Sequence, residues 1–246
     1  MRTIKRFWWA PPALLILVGV AFVLWASAAA KPMPEALAAT APDAQVQTET
    51  DPWLVFRPSE REPTIGLILY PGGRVDSRAY APTARALAEE GYLVVIVPMP
   101  LNLAVLAPGR AAQVIAAFPD VRSWAVGGHS LGGAMAANFA HKNPEQVRGL
   151  VLWAAYPAAS DDLTDDQLAA VSIYGTRDGL ATLDKIDASR PLLPPDTEWV
   201  AIQGGNHAQF GWYGPQAGDH EATISRKEQQ AQILAATRQL LQRLDR

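Results

Sequence analysis

Residues 123–133 read Ser-Trp-Ala-Val-Gly-Gly-His-Ser-Leu-Gly-Gly, and the meaning of this stretch decides the fold. Ser123–Gly127 is a short apolar run of strand character. Leu131–Lys142 is an alanine-rich helical run closed by Asn143-Pro144. Between them lies Gly128-His129-Ser130-Leu131-Gly132, a G-x-S-x-G pattern. A strand that turns directly into a helix leaves little room at the corner, so only glycine fits on either side. The serine is then held out on a strained turn at the top of a sheet. The start of the helix points backbone N–H groups and positive dipole toward any negative charge developing there. The competing reading is an ordinary capping serine in a glycine-rich turn.

The same alternation extends outward in both directions. Strand candidates are Trp53–Arg57, Ile65–Tyr70, Leu93–Val97, Gly149–Ala154, Val171–Tyr174 and Trp199–Ile202. Helical stretches are Tyr80–Glu90, stopped by Gly91, then Arg110–Phe118, stopped by Pro119, and a closing amphipathic helix Ile224–Leu244. Short apolar strands alternating with longer helical stretches predict an α/β fold with a mostly parallel sheet covered by helices on both faces. Ligands of such sheets bind beyond the carboxyl ends of the strands.

The composition is compatible with that fold. The chain has 246 residues, 49% of them hydrophobic and 18% charged, which suits one domain with a sizeable core and excludes a disordered chain. A net charge of −3 gives no basic footprint for nucleic acid. The absence of cysteine removes disulfide scaffolds, thiol nucleophiles and thiolate metal sites. No metal-ligand spacing, phosphate loop or dinucleotide fingerprint occurs, so no cofactor is expected.

The N-terminus has a different character. Arg2, Lys5 and Arg6 precede an uncharged run from Phe7 to Ala30 whose apolar centre is Ala13–Trp25. One reading is a signal peptide cleaved after Ala26-Ser27-Ala28 or Ala28-Ala29-Ala30. The other is an uncleaved anchor, with Trp8 and Trp9 at one interface and Trp25 at the other, about 24 Å apart along a helix. Both readings export the remainder of the chain, because cations stay on the cytoplasmic side. Without residues 1–30 the chain holds 18 cations against 24 acids, a net charge of −6, so nothing beyond that segment favours contact with anionic lipid. Residues 31–50 are rich in Ala and Pro without a period and read as a flexible linker, which leaves 51–246 as the folded domain.

At this point the chain resembles the α/β-hydrolase superfamily, and within it the small, nearly lidless dienelactone-hydrolase-like proteins and the α/β-hydrolase fold-5 group. The resemblance covers about Trp53 to Leu244. It rests on Gly128-His129-Ser130-Leu131-Gly132-Gly133, Tyr70-Pro71-Gly72-Gly73, Tyr174-Gly175-Thr176-Arg177-Asp178 and Gly204-Gly205-Asn206-His207. It implies a triad in the order Ser, acid, His. Ser130 is then the nucleophile, and it needs a base within hydrogen-bond reach. Of the four histidines, His129 lies inside the turn and is expected to point away from the reacting centre, and His141 lies late in a helix. His207 stands where the superfamily places its base, and His220 is the competitor. Asp178 stands where it places the acid, with Asp184 and the cluster Asp161, Asp162, Asp165 and Asp166 as competitors.

The oxyanion of an acyl intermediate needs two N–H donors, of which Leu131 supplies one. The second comes from Gly72, Gly73 or Arg74, since Pro71 has no N–H; Gly73 is favoured. The superfamily often has His-Gly at this turn, and this chain has Pro71-Gly72-Gly73 instead. Between Ala154 and Val171 there is room for one short helix and no lid. Phe210, Trp212 and Tyr213 read equally as a pocket wall or as local packing. Arg74 and Arg177 flank the site. The expectation is a membrane-tethered, extracytoplasmic serine hydrolase acting on an ester-like substrate through Ser130, His207, Asp178, Leu131 and Gly73. A secreted or periplasmic hydrolase, a non-catalytic binding protein on the same fold and an acyltransferase are the alternatives.

Overall fold

The computed structural model describes residues 10–245; Arg2, Lys5, Arg6, Phe7, Trp8 and Trp9 lie outside the described residues. The strands are β1 (Val46–Glu49), β2 (Leu54–Pro58), β3 (Ile65–Tyr70), β4 (Leu93–Ile96), β5 (Ser123–His129), β6 (Gly149–Trp153), β7 (Ala169–Gly175) and β8 (Glu198–Ile202). They form one sheet in the order β1-β2-β4-β3-β5-β6-β7-β8. β2 runs antiparallel to β1 and to β4, and every other pair is parallel. The helices are α1 (Ala10–Ser27), α2 (Pro34–Ala38), α3 (Ala81–Glu89), α4 (Ala111–Ala117), α5 (Leu131–Lys142), α6 (Leu183–Ser189) and α7 (Arg226–Arg243).

The expected fold class is observed, and the strand sequences explain it. Residues of β3 are buried on both faces and alternate between two cores. Leu67 and Leu69 join Leu87 of α3 and Ile233 and Leu240 of α7 on one face. Ile68 joins Val114 of α4 and Phe139 of α5 on the other. Each such fully buried side chain contributes about 1.5–3 kcal/mol relative to exposure. Local signals set the helix ends. The Ser225 hydroxyl accepts from Glu228 N while Ser225 N donates to the Glu228 carboxylate, so α7 starts at Arg226 rather than at Ile224.

Three expectations are corrected. Residues 31–50 are not a free linker. They carry α2 and β1, with Ala36 and Val46 fully buried and an Arg85–Asp43 ion pair at 2.7 Å. The physical reason is that β2 would otherwise present an unpaired edge, which β1 covers. Four residues are too short to show a period, and the alanine-rich composition hides the fit. The stretch between β6 and β7 holds turns and no helix, and α6 follows β7 unforeseen because only Leu183 and Ile186 mark it as apolar. Thirdly, residues 26–30 belong to the domain. Ala26 is fully buried and Ala30 bridges Val75.

The α1 helix is apolar on all sides, and its large side chains are exposed, up to 72% at Leu15. Its 18 residues rise about 27 Å, against a hydrocarbon thickness of about 30 Å. Among the described residues no helix is long and apolar enough to cross a membrane.

Candidate active site

Four connections at the carboxyl ends of parallel strands converge. They follow β3, β5, β7 and β8, and they carry Gly73, Ser130, Asp178 and His207. Ser130 has φ 52° and ψ −123°, a conformation that costs a non-glycine residue of the order of 1–3 kcal/mol and must be held by its surroundings. Here the holding is steric and polar. A Cβ at Gly128 or at Gly132 would collide with the Tyr70 carbonyl. The Ser130 N–H donates to the Trp153 carbonyl of β6 at 2.9 Å.

His207 and Asp178 form a buried pair. Their side chains are 1% and 0% exposed, and Nδ1 lies 2.8 Å from Oδ2. Asp178 Oδ1 also accepts from the Leu180 and Ala181 N–H groups, each at 2.7 Å. The carboxylate therefore acts as an acceptor throughout, Nδ1 of the ring donates, and the lone pair falls on Nε2. Nε2 is buried and has no hydrogen-bond partner among the described residues. Ser130 and His207 line one cavity of about 270 Å3, together with Leu131, Ala154, Tyr156 and Leu180.

The donors around Gly73 sort themselves by elimination. Gly72 N–H donates to the Tyr80 hydroxyl at 3.0 Å, and Arg74 N–H to the Asn102 carbonyl at 2.8 Å. Gly73 N–H has no acceptor among the described residues. Leu131 is the first residue of α5, so its N–H has no partner within the helix. A Cβ at Gly73 would lie 3.2 Å from Leu131 Cδ2, so the two residues are neighbours.

His129 does not line the cavity of Ser130. Its ring packs behind His207, with centroids 4.5 Å apart, and stacks on Phe210 at an interplanar angle of 8°. Nδ1 of His129 is 2.9 Å from the Tyr80 hydroxyl. Burial, and then the charge of the neighbouring His207, hold its pKa well below the usual histidine range, although a backbone contact with His207 acts in the other direction. A neutral ring there adds no repulsion when His207 takes a proton. Burial likewise pushes the Tyr80 and Tyr213 hydroxyls up, so both stay protonated.

The competitors lie elsewhere. His220 is exposed, and its carbonyl accepts from Asn206 Nδ2. Asp184 is an exposed residue in the first turn of α6. Asp161 is buried against Asn138, and Asp162 caps a turn at Thr164. Arg177 is tied by Nε to the Glu221 carbonyl at 2.6 Å. Of the aromatic cluster, Phe210 packs beneath the site and Tyr213 borders a second, larger cavity with Arg74.

Two residues escaped the sequence reading. Asp219 accepts from the N–H groups of His207 (3.2 Å), Ala208 (2.8 Å) and Gly179 (3.1 Å), tying the loop of the histidine to the loop of the aspartate. Gln229 of α7, fully buried, accepts from Asn206 N–H and donates to the Asn206 carbonyl. Neither lies in a motif. The one available signal was an acid in a polar stretch, Gly218-Asp219-His220-Glu221, that also held the rival histidine.

Comparison with known proteins bears on this geometry. A family model described as the alpha/beta hydrolase family matches residues 66–231. Among solved structures, the chain is similar to a protein of Klebsiella pneumoniae subsp. pneumoniae MGH 78578 described as a dienelactone hydrolase. They share 19% identity with a TM-score of 0.54, over 79% of this chain and 97% of that one. It is also similar to esterase 2 of Thermogutta terrifontis, phosphoramylated by tabun, at 13% identity and a TM-score of 0.57, over 82% of this chain and 96% of that one. At these identities the likeness concerns the fold. No curated protein matches. The family model spans well over half of the chain and every loop that carries the converging residues, so the chain belongs to the alpha/beta hydrolase family.

Proposed function

We propose that the protein is a serine hydrolase that cleaves an ester through an acyl-enzyme on Ser130. Ser130 Oγ attacks the carbonyl carbon as its proton passes to Nε2 of His207. The C=O electron pair moves onto the oxygen, where the N–H groups of Leu131 and Gly73 receive the charge. Asp178 holds Nδ1–H and stabilises the imidazolium. Collapse of the tetrahedral species breaks the bond to the alkoxy oxygen, which leaves with the proton from Nε2. Water then attacks the acyl-serine by the same route and restores Ser130. The observation that carries the reading is the buried His207–Asp178 pair at 2.8 Å, whose free nitrogen belongs to the residue sharing a cavity with Ser130.

The localisation that fits best is a domain held at a membrane by the uncharged run from Phe7 to Ala30, of which α1 alone is too short to cross, on the extracytoplasmic side from the charges of Arg2, Lys5 and Arg6. Support comes from the exposed apolar surface of α1, and retention rather than cleavage is favoured by the burial of Ala26 and the bridge at Ala30. Extraction of membranes with alkaline carbonate should leave the chain in the pellet; release of the domain would favour processing.

Incubating the folded chain with a fluorophosphonate and mapping the adduct tests the chemistry. Labelling of Ser130 alone is expected. A folded protein that takes up no label would instead be a binding protein on this fold.

A further inference from the structure

The larger cavity beside the site measures about 480 Å3, within the ~300–1,000 Å3 usual for small-molecule sites. One of its walls is made by Trp25, Ala28, Ala29 and Ala30, from the foot of α1. Gly73 and Leu131 face them. These two carry the N–H groups assigned above to the oxyanion, so the cavity starts where the carbonyl oxygen of a substrate would sit. Leu131 also lines the cavity of Ser130, so the two spaces are neighbours on either side of this residue. A carbonyl held at Ser130 therefore has two ways out: toward Tyr156 and Leu180, or toward Trp25 and Ala30.

The N-terminal wall is built in rather than draped over the surface. Ala30 N–H donates to the Arg74 carbonyl at 2.7 Å and Asp76 N–H to the Ala30 carbonyl at 3.1 Å. Arg74 Nη2 donates to the Ala28 carbonyl at 3.1 Å, and its guanidinium lies 4.5 Å from the centre of the Trp25 ring. The wall is mostly methyl and ring carbon, with Arg74 and Gln216 as its main polar neighbours. From this wall α1 continues with Phe22, Val23 and Leu24 exposed, and Val105 and Leu106 are exposed just beyond Leu103, another residue of the lining. An apolar chain leaving the oxyanion site in this direction meets the Trp25 ring and the alanine methyls alongside Arg74 and Gln216, and the apolar part of that contact stabilises by about 25 cal/mol per Å2 removed from water.

We propose that Trp25–Ala30 forms one wall of a subsite for the acyl chain, and that the substrate class is an amphiphilic ester with a medium or long apolar acyl group. The proposal rests on the reading of Ser130 as the nucleophile. It makes the N-terminal segment a specificity-determining part of the site rather than a removable leader.

The test uses the full-length chain in phosphatidylethanolamine–phosphatidylglycerol vesicles and a fluorophosphonate whose decyl chain carries a diazirine midway. Adduct at Ser130 is read first, without light; its absence overturns the nucleophile and this proposal together. After irradiation, cross-links from the labelled serine should fall mainly in the peptide holding Trp25–Ala30. Cross-links confined to Ala154–Tyr156 or Leu180–Ala181, or no cross-link from a labelled serine, would overturn the subsite alone. In parallel, Ala29→Trp narrows the cavity. The ratio of kcat/KM for p-nitrophenyl decanoate over acetate should fall at least tenfold in it. A ratio within twofold of the parent protein, in a variant that still labels at Ser130, would equally overturn the subsite.

Discussion

The two sides of Ser130 are held by different means. On one side His207 and Asp178 are fixed by side chains from inside the domain. Asp219 gathers the N–H groups of both loops, and Gln229 clamps Asn206 from α7. On the other side the neighbours of Gly73 are held by the Tyr80 hydroxyl, the Asn102 carbonyl and the foot of α1. Arg74, at φ 57°, is bonded through its backbone and side chain to Ala28 and Ala30. The first side is self-contained. The second depends on a segment whose composition reads as an anchor or a cleaved leader, so the proposed proton relay and the proposed oxyanion donors should fail under different perturbations.

The largest effect is expected where both sides meet. Ser130→Ala and His207→Ala should each lower p-nitrophenyl acetate turnover by about ten-thousand-fold or more, with the near-ultraviolet circular dichroism unchanged. Next comes the brace of the relay. Asp219→Ala leaves four N–H groups without their charged acceptor, for a loss of about 2–3 kcal/mol read from urea midpoints, and kcat should fall with it.

A smaller effect follows from His129. Its folded pKa is depressed, so between that value and about 6.5 the unfolded chain binds a proton that the folded one does not. Stability contributed by the neutral ring is complete above about pH 6.5 and declines as pH falls, with a slope approaching about 1.4 kcal/mol per pH unit. His129→Gln should flatten the difference between melts at pH 7 and pH 5. A slope equal to that of the parent protein would assign the acid sensitivity elsewhere. The smallest effect is on the outer brace. Arg74→Ala removes the contact with Trp25 and the bond to Ala28, about 0.5–1 kcal/mol for the cation–ring contact. It should speed proteolysis within residues 26–33 while leaving hydrogen exchange at His207 unaltered.

How much could be read in advance follows the range of the forces involved. The turn at Ser130 was legible because its cause is local: a strand, a helix and a corner too tight for any Cβ near the Tyr70 carbonyl. The strands β3 to β7 were legible because burial on two faces writes continuous apolar runs. β1 was not, since the unpaired edge of β2 that it covers is a property of the assembled sheet. The partners of the His129 side chain were not legible for the same reason. Its position in the motif says nothing of Tyr80, Phe210 and His207 closing around it.

The amino-acid order alone determined the class of fold, the strained serine turn and the glycines that permit close approach, since each depends on neighbours within one turn of chain. Tertiary structure alone decided which glycine N–H is left free, which acid braces the histidine loop, and that Trp25 and Ala28–Ala30 line the cavity beside Gly73 and Leu131. Those outcomes depend on which hydrogen-bond partners distant segments bring together, and a buried donor takes whichever acceptor the packed chain supplies.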